Sequence, residues 1–540
     1  MSEQQKRIVK IAVSALGAVA AVFLIATCPI PGLSYQATAV LGILVMAIVW
    51  WITGILPEFV TAVVMAVLFV VVAGISTGSV FSTFASSTWW LLLSAFTLGV
   101  GMKKSGLMKR IALAIVNKFP RTFRCQVIAQ LVTGTVLGPL IPSLAVKGAM
   151  LAPLAMNIGD ELGYERQGRQ ATGLFAAMLV GIRTVAPTIV SASVTGYALM
   201  ATLPADVQEQ FNMATWFVAA LPWLIVVLVL NYFAIMALYK PRRGEAAEGA
   251  GEAPGESRPG DGLPGSATDA GAGVSNAEVG ALGDKAAGLS GDAHKASSAA
   301  KRGLSERLGV AGQPASGSAS SRLPADMAGT GPFTLVEKRM LGIILVTVVL
   351  WAMEPFHHVS AMSVGLVALV AMFVLKVIDV PSFKSGVNWT SLLFIGIALG
   401  LGSVFAEAGL NDWVMSTCGP VFQLMAGNPY VLVLGIGVIT VVLRFLIVSE
   451  VAYLNLLMAF LVPMAASVGV NPWVLGFSAY ALVIAWFAKY QSPIYLAAFY
   501  AVDGKMAKHS ELAKYCGVYL AICLVGLAVS VPYWQWMGLL

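Results

Sequence analysis

The sequence predicts an all-α polytopic membrane protein, and three observations carry that fold class. Of 540 residues, 58% are hydrophobic and 11% charged, with a mean hydropathy of +0.83, whereas a soluble domain is roughly 25% charged. The apolar residues gather in windows of about 20, the length at which a helix crosses a hydrocarbon core of ~30 Å. No strand-like alternation is sustained along the chain, which argues against a β-barrel.

The elements follow in order. Lys6, Arg7 and Lys10 precede an apolar run over 11–27 with no small-residue cleavage site after it. Residues 1–35 therefore read as a first membrane helix with a cytoplasmic N-terminus. Further helices are expected at 36–55, 58–76, 88–102, 171–202 and 215–238, then at 338–354, 360–377, 389–406, 475–500 and 513–537. Two more apolar stretches, 125–157 and 430–466, are interrupted near their middles by polar, Gly or Pro residues. The total is about eleven spans plus two interrupted segments, and an odd count leaves the C-terminus outside. Lys103, Lys104, Lys109, Arg110, Lys118, Arg121 and Arg124 mark one side as cytoplasmic.

Between 240 and 332 there is no Phe, Trp or Tyr, and Gly, Ala, Ser and Pro dominate. Such a stretch buries too little apolar area to offset its ordering entropy, so a disordered tether is expected. Basic residues on both flanks place it in the cytoplasm. It separates 36–239 from 333–540, and these halves look like weak copies. "WWLLLSAFTLGVGMKKSGLMKRI" (89–111) reads against "WTSLLFIGIALGLGSVFAEAGLNDWV" (389–414), each followed by an interrupted stretch. Copies of opposite topology, each with a broken helix, mark a secondary transporter with its site near the bilayer midplane. The competing reading is that membrane helices resemble one another by composition alone.

Four polar constellations interrupt the apolar runs. "GPLIPSLAVKGAMLAP" (138–153) places Ser143 and Lys147 beside Pro139, Pro142 and Gly148. Backbone freed at such a break must be satisfied by protein, water or ligand, and a helix N-terminus there attracts carboxylate. The bland alternative is a kinked helix whose Lys147 snorkels to an interface. "LRFLIVSEVAYLNLLMAFLVP" (443–463) holds Arg444, Ser449, Glu450, Tyr453 and Asn455. A lone charge at that depth costs at least ~2.5–3.5 kcal/mol. Glu450 is accordingly expected to pair with Lys147 or Lys489, or to carry a proton; a salt bridge without function fits equally well. "GIRTVAPTIVSAS" (181–193) brings Arg183 and Thr188, and "AKYQSPIYLAAFY" (488–500) brings Gln491 and Ser492, each with Pro inside a long apolar helix.

Other classes lack their signatures. The net charge of +7 and pI near 9.1 come from short basic loops, so no nucleic-acid partner is implied. Cys28, Cys125, Cys418, Cys516 and Cys523 have no metal-ligand spacing and read as packing residues. No phosphate loop, HExxH or nucleophile elbow occurs, so no enzyme and no resident cofactor are expected.

On these residues the chain resembles the divalent anion/sodium symporters, a family of dicarboxylate, citrate and sulfate carriers, and within it the exchanger-like branch. "VWWITGILPEFVTAVVMAVLF" (49–69) looks like that family's Trp-Trp-x-Thr-Gly-x-x-Pro signature, and "KKSGLMKRIAL" (103–113) and "NWTSLLFIGIALGLGSVFAEAGL" (388–410) like its paired helix ends. "SPIYLAAFYA" (492–501) is similar to the exchangers. The resemblance implies a homodimer in the inner (plasma) membrane, a scaffold, and a transport domain of two re-entrant hairpins and two unwound helices moving as an elevator. The family's hairpin tips read Ser-Asn-Thr and contribute to carboxylate and sodium sites. Here they read Ser143-Leu144-Ala145 and Ser449-Glu450-Val451, so the serines match and the Asn and Thr do not. Lys147 stands where exchanger-like members often carry a basic residue, and a fixed charge there could replace a coupling cation.

The expected function is secondary active transport of a small di- or multivalent organic anion, dicarboxylate-like, by exchange. Substrate contacts are expected from Ser143, Lys147, Thr188, Ser449, Glu450 and Ser492, then Gln491 and Arg183. The alternatives are symport coupled to a proton or to sodium near Ser143 and Ser449, with a carboxylate, sulfonate or inorganic oxyanion as cargo. From another class come a membrane-embedded enzyme or a non-transport assembly subunit.

Overall fold

A computed structural model describes residues 3–27, 30–240, 332–447 and 449–540. Cys28 and the core of the expected tether, 241–331, lie outside them. Among the described residues the regular elements are helical throughout. Seven helices are long and apolar enough to cross a membrane by length and composition: Arg7–Thr27, Tyr35–Thr53, Arg169–Thr188, Met213–Tyr239, Trp389–Glu407, Glu450–Val468 and His509–Trp536. Five shorter apolar helices accompany them.

Helices of nine residues or more are numbered here. The first is α1 (Glu3–Thr27), against which α2 (Tyr35–Thr53) packs. There follow α3 (Glu58–Val71), α4 (Ser87–Ser105), α5 (Leu107–Lys118), α6 (Phe123–Leu137), α7 (Leu144–Glu161), α8 (Arg169–Thr188), α9 (Val194–Thr202) and α10 (Met213–Tyr239). Beyond residue 332 come α11 (Leu335–Ala352), α12 (Ala361–Val374), α13 (Trp389–Leu399, continued by Leu401–Glu407), α14 (Leu410–Ala426) and α15 (Pro429–Leu443). The last are α16 (Glu450–Val468), α17 (Pro472–Val483), α18 (Pro493–Ala501) and α19 (His509–Trp536).

The second series repeats the neighbour pattern of the first. α6 packs on α8 as α15 packs on α17, and α7 on α8 as α16 on α17. Across the halves partners are exchanged: α3 lies on α13 and α12 on α4, while α7 lies on α18 and α16 on α9. Local chemistry repeats too. Ser-Gly-Leu and Ala-Gly-Leu both turn the chain at a left-handed glycine, Gly106 (φ 76°) and Gly409 (φ 71°), a conformation that ends one helix and redirects the next.

Two helices expected as continuous are broken. The run 171–202 ends as α8 at Thr188 and resumes as α9 only after a short 3-10 turn. The run 475–500 stops at Val483 and resumes at Pro493. The helix expected at 58–76 stops at Val71. Below it Glu407 accepts from the Ser76 amide and hydroxyl, both at 2.8 Å. The interrupted stretches 125–157 and 430–466 are helix–turn–helix pairs, α6/α7 and α15/α16. Where α6 crosses α8 the backbones touch: a Cβ on Gly134 would stand 2.3 Å from the carbonyl carbon of Gly181, so only glycine fits.

Candidate functional site

Each hairpin turn is tied to a broken helix by one buried cation. In the first half the Lys147 ammonium donates to Gly138 O (3.3 Å), at the end of α6, and to Ala192 O (2.8 Å), in the α8–α9 break. Ser191 adds a hydroxyl bond to Pro139 O (3.2 Å), and the Val194 amide one to Pro142 O (3.0 Å). In the second half Arg444 does the same from the other arm. It donates to Ile447 O in the turn, and to Val483 O (2.8 Å) and Gln491 O (2.6 Å) at the two ends of the α17–α18 break. Carbonyls released by broken helices in an apolar setting need such donors. Two cations supply them.

Arg183 joins the halves. Its guanidinium donates to Ile484 O (3.0 Å) and to the Ser492 hydroxyl, lies 3.6 Å from Glu450 Oε1, and stacks over Trp486 at 5.3 Å. From the opposite side the Tyr480 hydroxyl donates to Ala186 O (3.0 Å).

Four serines cap the helices that start here. Ser143, Ser193, Ser449 and Ser492 accept from the amides of Val146, Thr195, Ala452 and Tyr495 at 3.4, 3.1, 3.4 and 3.1 Å, opening α7, α9, α16 and α18. Since α7 packs on α18 and α16 on α9, the helices they open lie in two crossed pairs, each joining one half to the other. Such termini carry partial positive charge.

Of the residues singled out by sequence, Arg183 meets both Glu450 and Ser492 directly, and Gln491, next to Ser492 in the chain, accepts from Arg444 at its carbonyl. Ser143 and Lys147 belong to the first hairpin turn, Ser449 to the second. Thr188 is buried, but its hydroxyl turns back to Val185 O (2.9 Å) in its own helix. The expected partners of Glu450 are corrected. Lys147 is taken by carbonyls, Lys489 is exposed over the Phe499 ring at 5.2 Å, and the partner is Arg183, which also holds both ends of the α17–α18 break. Arg444 and Ser193 were not among the expected contacts. The signal for Arg444 was an arginine inside an apolar run, but its partners lie up to 47 residues downstream.

The electrostatics favour an anion. Arg183 and Arg444 are each 0% exposed and Glu450 is the buried acid beside them, so two buried cations less one buried carboxylate leave a formal surplus of one positive charge; Lys147, also 0% exposed, belongs to the first hairpin turn. Arg183 Nε, Gln491 Nε2 and both polar atoms of the Asn455 amide are buried without a hydrogen-bond partner among the described residues. No group of three His, Cys, Asp or Glu side chains there could hold a metal.

The inner membrane protein YbhI of Escherichia coli (strain K12) is 24% identical over 397 residues, spanning 71% of this chain and 68% of that protein. An L-tartrate/succinate antiporter of Shigella sonnei (strain Ss046) is 22% identical over 390 residues, 70% of this chain but 63% of its own length. The solved structure of Neisseria gonorrhoeae MtrF, described with a class of antimetabolite efflux pumps, aligns over 93% of this chain and 95% of its own at 12% identity and a TM-score of 0.49. A family model described as a citrate transporter matches residues 48–486, and the chain therefore belongs to the citrate transporter family.

Proposed function

We propose that this transporter carries small di- or multivalent organic carboxylates of the citrate or succinate kind, by exchanging one anion for another. The observation that carries the reading is the pair of buried cations Arg183 and Arg444 in formal excess over the buried Glu450, with Lys147 buried at the first hairpin turn. Burying uncompensated charge is costly, and an anionic cargo relieves it. Resident cations also remove the need for a bound coupling ion. The family description and the tartrate/succinate antiporter relative point the same way.

In this reading the two halves are inverted repeats about the bilayer midplane. Residues 36–239 form the first and 333–540 the second, joined by a cytoplasmic tether over 240–332, with the N-terminus also cytoplasmic. The hairpins and the broken helices, tied by Lys147 and Arg444, travel together as the moving body of an elevator-type homodimer in the inner membrane. Ser143, Lys147, Ser449, Glu450, Gln491, Ser492 and Arg183 line the cargo site, with Thr188 beside them. Symport is the second reading, and Glu450, a buried acid beside Arg183, is the group on which its proton-coupled form rests.

The test is counterflow. Proteoliposomes loaded with citrate or succinate should take up labelled citrate or succinate without sodium, and empty ones should not. Strict sodium dependence would rule out exchange, and no uptake of either probe would sink the carrier reading.

A further inference from the structure

Glu58 takes no part in the site described above, yet it touches it. It opens α3 directly after Pro57, and Trp51 Nε1 donates to its backbone carbonyl (3.3 Å), which fixes the turn between α2 and α3. Its side-chain Oε2 accepts from the Ser449 hydroxyl at 3.3 Å. Ser449 is the tip of the second hairpin and the cap of α16. Behind it lies Arg444, which feels both Glu58 and Glu450 electrostatically. Glu58 is exposed, whereas Arg444 and Glu450 are buried. A carboxylate thus stands on the open side of an anion-attracting tip, supplied by an element outside the hairpins.

We propose that Glu58 is a resident competitor of the cargo: its carboxylate latches the second hairpin through Ser449, and an incoming carboxylate displaces it. The proposal rests on the anion-carrier reading and adds a residue that sets apparent affinity. A tethered carboxylate competes at high effective concentration. Measured affinity then falls by the fraction of protein left unlatched. The latch also has a mechanical side, because it joins the hairpin to α3 until cargo arrives. If Glu58 served only as a favourable acid in the first turn of its own helix, its loss would change stability and leave substrate affinity alone.

The experiment uses the full chain in proteoliposomes loaded with unlabelled citrate. Initial uptake of labelled citrate and of labelled succinate is followed against external concentration for wild type, E58Q, E58A, S449A and the E58Q/S449A double variant, with size-exclusion profiles to confirm folding. E58Q should lower KM on the order of three- to tenfold, and E58A should do likewise if E58Q does not fold. In the S449A background E58Q should have no further effect on KM. An unchanged or raised KM in E58Q and E58A would overturn the latch, as would a decrease that persists undiminished in S449A. A wild type that takes up neither probe brings down the carrier reading and the latch with it. A wild type that exchanges normally beside variants with its own KM brings down the latch alone.

Discussion

Arg183 Nη1 stands 3.6 Å from Glu450 Oε1, and the same guanidinium holds Ile484 O and the Ser492 hydroxyl. One side chain of the first half therefore bears on both the hairpin and the broken helix of the second. A lysine is a point charge on a flexible stem and cannot reproduce that fork. Arg183→Lys should lower the kcat/KM of citrate counterflow by on the order of a hundredfold, within the 2–5 kcal/mol scale of disrupting one partner of a buried charge pair. Uptake near the wild-type value would remove Arg183 from the site.

Lys147 offers a different separation of roles. Lys147→Met keeps the volume but leaves Ala192 O without its donor and Gly138 O with only the Ile141 amide, at a cost of about 1–3 kcal/mol for the orphaned carbonyl. The Tm should fall, and the upward Tm shift expected of wild type with excess citrate should vanish. A lowered Tm with the citrate shift intact would make Lys147 a tie between segments and nothing more.

The α6–α8 crossing tolerates no side chain. A Cβ on Gly134 would lie 2.3 Å from Gly181 C and 2.5 Å from Ile182 N, both backbone atoms that cannot swing aside. Small residues let membrane helices approach in this way. Gly134→Ala should cost at least the ~1–3 kcal/mol of ordinary overpacking, read as a lower Tm or loss of the monodisperse peak. Gly402→Ala, where nothing lies within 4 Å, is the matched control and should be neutral.

A surface pair gives a pH test. The Lys104 ammonium lies 2.8 Å from Asp379 and Ser382 donates its amide, which hold the Asp379 carboxyl well below the usual carboxylate range. A depressed folded-state pKa stabilises the fold above the ordinary Asp value, roughly 3.9, and that stabilisation disappears as pH falls towards the folded-state value. Any Tm advantage of wild type over Asp379→Asn should therefore be present near neutrality and shrink below about pH 4. An advantage that grows on acidification would contradict the pairing.

Much of the architecture was legible because membrane helices announce themselves. Apolar windows, the glycines at 106 and 409, and the interruptions at 138–143 (Pro and Ser) and 444–449 (Arg and Ser) placed both hairpins within a few residues. The breaks after Thr188 and Val483 were harder to see as interruptions of the helix. Their freed carbonyls are satisfied by Lys147 and Arg444, 45 and 39 residues away along the chain, so nothing local separates them from a kinked continuous helix. The partner of Glu450 was missed for the same reason. Several positive side chains were within reach of argument, and only the fold decides which helix end arrives beside it.

The exchange of neighbours between halves has a consequence for assembly. With α7 walled by α18 and α16 by α9, each half is an unfinished object whose missing surface is made by the other. Dividing the gene between codons 240 and 332 should yield two pieces that each fail alone in the bilayer, yet regain counterflow when synthesised side by side.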